Sequence, residues 1–157
     1  MKRTWIYLPL MVFVVSCQSG SGSIPPELIP PEVSLRQIGG IQEGAAQHVR
    51  GAMPVNLQAV IISRSSEPLS VERIEVVSRG QGAYSVPRTS RPFSRTLNQD
   101  RAEAFEFWVS TNTENTILGV GGPVTLQMTV YYLSPYGKFR EVYTRDINTS
   151  QVRERRE

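Results

Sequence analysis

The chain is poor in the residues that build metal and redox centres, with one cysteine, one histidine and two aspartates in 157 residues. His48 alone cannot anchor a His-based metal cluster or complete a Cys/His dyad. Asp100 and Asp146 show no calcium-loop spacing. The serines sit in neither a Gly-x-Ser-x-Gly elbow nor a Ser-x-x-Lys motif. Gly119-Val120-Gly121-Gly122-Pro123 lacks the Lys-Ser/Thr of a phosphate loop and reads as a connection before a strand. The twelve glutamates fall mostly at solvent-facing strand positions or turns. The expectation is a protein without cofactor or metal, and not an enzyme.

Charge of one sign is also scarce. Once Lys2 and Arg3 are set aside, 15 basic residues face 14 acidic ones, so the basic isoelectric point does not point to nucleic acid as a partner. Helical periodicity is missing too, apart from Ser150 to Glu157 in the charged tail 148–157, which has only Val152 to bury and is expected to fray.

The chain does carry a clear leader. Lys2 and Arg3 precede the apolar run Trp5 to Val15, which ends at Ser16 and Cys17. A positive start, an apolar centre and a small residue at the end form the layout of an export signal. About twelve apolar positions make roughly 18 Å of helix, short of the roughly 30 Å hydrocarbon core, and Pro9 interrupts it. Val14-Val15-Ser16-Cys17 resembles the lipobox of bacterial lipoproteins. The resemblance implies diacylglyceryl transfer to the Cys17 thiol, removal of residues 1–16 and a membrane held through lipid. In that family, Gln18 rather than Asp after the cysteine implies delivery to the outer membrane, on its periplasmic or surface side. Two or three acyl chains anchor stably where one holds marginally. With Cys17 acylated, no thiol remains for a disulfide.

Residues 17–33 read as a spacer. Gln18 to Ser23 is Gly/Ser-rich and is expected to be flexible, and Ile24-Pro25-Pro26-Glu27-Leu28 is repeated as Ile29-Pro30-Pro31-Glu32-Val33. Paired prolines favour polyproline II, which would hold a domain about 30 Å from the bilayer; a proline-binding partner is the alternative. Residues 34–53 read as irregular or as an edge strand.

From 54 to 147 the pattern is that of strands. Val55, Leu57, Ala59 and Ile61 alternate with polar residues, and Ser63 to Pro68 reads as a turn. Leu69 and Val71 have one parity, Ile74 and Val76 the other, which predicts a β-bulge near Glu72-Arg73. A short strand is expected at Ala83 to Val86. Strong strands follow at Ala104 to Ser110, Pro123 to Leu133 and Phe139 to Ile147, the last two joined by the turn Ser134-Pro135-Tyr136-Gly137. Short strands joined by Pro/Gly turns point to an all-β, two-layer antiparallel sandwich. The arrangement resembles the immunoglobulin and fibronectin type III class, without the Cys…Trp…Cys hallmark of true immunoglobulin domains. Asn56-Leu57-Gln58-Ala59-Val60, a polar turn and Pro68-Leu69-Ser70-Val71-Glu72-Arg73-Ile74 are also similar to the small β domains of the desiccation-related LEA14 type.

Two features are candidates for binding. Val86 to Arg101 carries Arg88, Arg91, Arg95 and Arg101 without a strand pattern. It is either a crossover pinned by Phe93 and Leu97 or a grip for phosphates or carboxylates. Trp108 and Tyr131 have parity opposite to the core and are expected to share an outer sheet face, open to a protein or carbohydrate unless segment 33–53 covers it. The reading is a non-catalytic, lipid-anchored envelope protein whose sandwich binds or scaffolds an envelope protein or polymer. Envelope stabilisation without a specific partner, or small-molecule binding, is the alternative.

Overall fold

Apolar residues at every second position of β2 (Gly51–Ile62) and β5 (Ala102–Thr113) turn one face of each strand inward, and the two strands pair residue for residue, from Gly51↔Thr113 to Ile62↔Ala102. In the computed structural model, which describes residues 24–40, 51–80, 82–113 and 123–147, β1 (Glu32–Gly39) adds to the other side of β2. The second sheet has the order β4-β3-β6-β7, with β3 at Leu69–Ser78, β4 at Thr89–Leu97, β6 at Val124–Ser134 and β7 at Gly137–Ile147. All these pairings are antiparallel. The two sheets form an immunoglobulin-like sandwich in which the fourth strand pairs with the third, whereas constant immunoglobulin domains keep it with the first, second and fifth.

The core lies between the sheets. Val55, Leu57, Ala59, Ile61, Phe105, Phe107 and Val109 come from one side, and Leu69, Val71, Ile74, Val76, Leu126, Met128, Val130 and Tyr132 from the other. Full burial of such a side chain contributes about 1.5–3 kcal/mol, and in a domain without a disulfide this burial carries the stability. The predicted bulge is present: β3 advances two residues from Val71 to Arg73 while β6 advances one, from Tyr132 to Tyr131. Glu72 is the surplus residue, so Leu69, Val71, Ile74 and Val76 all point inward despite their change of parity. At the β6–β7 turn, Tyr136 N–H donates to Ser134 Oγ, and Gly137 takes φ 115°, which lets the chain re-enter the ladder.

Several expectations are corrected. The segment 86–101 is not a patternless loop, because Thr89–Leu97 is a strand. It lies at the sheet edge and only Leu97 is fully buried, with Phe93 half-buried, so no period-2 signal reaches the sequence. Ala83 to Val86 is not a strand. It forms one bridge, Ser85↔Asn112, and buries Ala83, Tyr84 and Val86 at the end of the sandwich. The proline repeat does not form a continuous stand-off. Leu28 N–H closes a turn onto Pro25 O (2.9 Å), Leu28, Pro31 and Val33 are buried, and Ile24 packs against the core. The aliphatic residue ending each repeat has more to gain by leaving water than the prolines gain by staying extended. Ordered β structure therefore begins at Glu32, inside the expected spacer, and β2 begins at Gly51 rather than 54.

Candidate binding face

Trp108 sits on β5 between the buried Phe107 and Val109, so alternation turns it outward, and it is 52% exposed. Across the sheet it pairs with Asn56 of β2, which pairs with Gly39 of β1. Gly39 has no side chain, and the indole Cη2 lies 4.0 Å from where a Cβ would be. An indole standing away from β5 could not reach that point. The ring therefore reaches across Asn56 toward β1 and stays half-exposed. Asn56 Oδ1 is buried there without a hydrogen-bond partner among the described residues. An orphan acceptor of this kind costs about 1–3 kcal/mol.

One row along the strands, Arg36, Gln58 and Glu106 are in register on the same face. Arg36 Nε donates to Gln58 Oε1 (2.8 Å), as does Arg36 Nη2, and Gln58 Nε2 donates to Glu106 Oε1 (2.7 Å). Gln58 is buried between two exposed charged ends. The opposite charges of Arg36 and Glu106 offset one another.

The arginines of β4 are held by their own fold. Arg91 Nε and Nη2 donate to the Trp108 carbonyl (3.2 and 2.8 Å), and Arg95 Nη1 donates to the Ala104 carbonyl (2.9 Å) while its guanidinium lies 5.1 Å from the Phe105 ring centroid. They occupy edge acceptors of β5 that would otherwise offer a template to another strand. Arg88, just before β4, pairs with Glu75 (3.2 Å). Phe93 packs edge-on against Phe105 and Phe107, and with Leu97 it pins β4 to the core.

Tyr131 does not share a face with Trp108. Parity reveals which residues face outward but not which sheet a strand joins, and β6 lies in the four-stranded sheet, so its outer face is on the opposite side of the sandwich. There the Arg73 guanidinium covers the Tyr131 ring at 3.8 Å. Of the segment 33–53 expected to cover Trp108, β1 lies beside β2 in the same sheet and adds its Gly39 to the floor under the ring, β2 itself begins at Gly51, and residues 41–50 lie outside the described residues. Cys17, His48 and the tail 148–157 lie outside the described residues. Gly39, Asn56 and the Arg36–Gln58–Glu106 row carry no sequence signal of their own, because register alone unites them.

A second polar cluster is built from β6 and β7. Burial pushes the Tyr132 and Tyr143 hydroxyls above the ordinary tyrosine range and raises the Glu141 carboxyl, which the Tyr143 hydroxyl, donating to it, partly offsets. Tyr132 stacks on Phe139 with centroids 5.0 Å apart, and its buried hydroxyl makes no hydrogen bond among the described residues. At the far end of β1, Tyr84, pushed up to about 12 by burial, donates to Gln37 Oε1 (2.8 Å). Among the described residues no three His, Cys, Asp or Glu side chains converge to hold a metal ion.

No protein-family model matches the sequence, and no curated protein matches it either. Among solved structures, a protein from Archaeoglobus fulgidus is similar with a TM-score of 0.45 and 12% identity, over 76% of this chain and 93% of that one. The Northeast Structural Genomics Consortium target SoR45 is similar with a TM-score of 0.43 and 12% identity, over 76% of this chain and 81% of that one.

Proposed function

We propose that the chain is a non-catalytic lipoprotein of the bacterial cell envelope, acylated at Cys17, whose sandwich binds or scaffolds another envelope component through the outer face of the three-stranded sheet. The lipobox-like Val14-Val15-Ser16-Cys17 supports the anchor. The observation that carries the binding reading is Trp108, a large aromatic kept half-exposed on the outer face of the three-stranded sheet. A soluble domain gains nothing in stability by holding an indole over a buried, unpaired acceptor, whereas a binding face gains a preorganised anchor.

Two measurements test this reading. Cys17→Ser should abolish fatty-acid labelling and move the protein out of the membrane fraction. A photo-crosslinking residue at the exposed Ser110 should capture an envelope component in intact cells, and Trp108→Ala should remove that product. Crosslinks that persist unchanged in the Trp108 variant would take the binding role away from this face.

A further inference from the structure

We infer that the Trp108 face is a glycan-binding site whose ligand is the glycan strand of the cell wall. A pyranose ring would stack on the indole, with its hydroxyls reaching Arg36 and Glu106. The inference rests on the lipid-anchored reading above and names the envelope component for that same site.

A sugar ring presents an apolar face of C–H groups bordered by hydroxyls. It calls for a flat aromatic surface with donors and acceptors at one side, all fixed beforehand. Trp108 supplies the surface, because Gly39 lets the indole reach across the sheet toward β1. The charged row runs beside it, two residues along β2 and β5 and three along β1, where Ile38 is the extra residue, roughly 7 Å away. Arg36 supplies donors and Glu106 acceptors, and the buried Gln58 acts as a positioning residue bonded to both. Groups already tied together lose little freedom when a ligand arrives. The main chain at Trp108 is likewise fastened by Arg91.

The surroundings favour sugar over protein. Protein hot spots sit inside a ring of contacts that excludes water. On this face the described cross-strand and diagonal neighbours of Trp108 are Asn56, Gln58, Glu106, Ser110 and the exposed Pro54, four of the five polar, so no apolar rim of described residues surrounds the ring. The offset between Arg36 and Glu106 also removes the positive field that a polyanion would need. Position favours the wall over the sugars of membrane lipids. The chain enters the sandwich at the Glu32 end of β1, and Trp108 lies against the Gly39 end, roughly 23 Å further along the strand. A tether upstream of Ile24 therefore leaves the indole at the end remote from the bilayer.

The test is sedimentation of the full lipidated protein, in mild detergent, with purified protein-free peptidoglycan sacculi. The wild type should pellet with sacculi. Trp108→Ala should weaken apparent affinity at least tenfold, Trp108→Phe should retain most of it, and Glu106→Ala should fall between. Circular dichroism and urea midpoints check that each variant is folded. Equal pelleting of wild type and Trp108→Ala, or none by the wild type, overturns the inference. Trp108-dependent binding to lipopolysaccharide vesicles but not to sacculi overturns the choice of the wall. A Trp108-dependent protein crosslink without sacculus binding overturns the glycan. Fatty-acid labelling at Cys17 is read in parallel, so the anchor and the glycan site can fail independently.

Discussion

The two outer faces of the sandwich treat their aromatic residues in opposite ways. On the four-stranded sheet, Arg73 covers Tyr131, Lys138 pairs with Glu72, and the exposed Leu133 and Val142 are scattered among polar neighbours. On the three-stranded sheet, no described residue covers the outer side of Trp108, and the oxygen of its cross-strand partner Asn56 is buried without a hydrogen-bond partner among the described residues. The first face spends its aromatic on the stability of its own fold. The second leaves its aromatic available and tolerates an unsatisfied group to do so. Exposure alone does not mark a site; exposure maintained against an energetic cost does.

The contrast can be broken most severely at Gly40. Its φ of 107° and the 2.7 Å from a would-be Cβ to Pro54 O leave no room for a side chain, so Gly40→Ala should cost about 2–4 kcal/mol in urea unfolding. Hydrogen exchange should place the loosening at the β1–β2 end beneath Trp108, with β3 and β6 protected as before. Next in size is a paired substitution. Tyr131→Ala should lose about 1–2 kcal/mol of stability and leave sacculus binding intact. Trp108→Ala should change stability by less than about 1 kcal/mol, because water reaching Asn56 offsets the lost contact, while binding collapses. Equal stability losses in the two variants would erase the distinction drawn between the faces. Arg91→Ala and Arg95→Ala should each cost about 1 kcal/mol and speed amide exchange along β5, as edge carbonyls lose their donors.

The smallest expected effect is pH-dependent and concerns Glu141, which belongs to neither outer face. Its carboxyl is raised in the folded state by burial, so folding favours the protonated form. The associated stability is complete below the ordinary glutamate value and is lost as pH rises through the folded one. Glu141→Gln should therefore match the wild type in acid and be slightly more stable at neutral pH, as read from thermal midpoints across the range. A difference that grows toward acid would contradict the sign.

Strands with one buried face were legible in the sequence, and so was the Glu72 bulge, because burial writes itself as alternation and a bulge as a change of phase. β4 was not, since an edge strand held by Phe93, Leu97 and its arginines needs no alternation. The repeat Ile24 to Val33 misled for a related reason: its prolines signal extension, while its aliphatic residues respond to a core contributed by distant strands. Trp108 was recognisable as outward-facing. Its floor was not, because Gly39 and Asn56 meet it only through the registers of β1 on β2 and β2 on β5. Pairing Trp108 with Tyr131 failed because the count along a strand is silent about which sheet that strand enters.

The turn at Pro25–Leu28 has a mechanical consequence. The chain is fastened to the sandwich from Ile24 onward, and tension arriving from the N-terminal side passes into β1 along its own axis. The β1–β2 and β2–β5 ladders run perpendicular to that pull, so their hydrogen bonds share the load in shear and are not unzipped one after another. Were a load held at Trp108 and a tether at the opposite end, β1, β2 and β5 would form a single tensile member spanning the domain, with the four-stranded sheet as its brace.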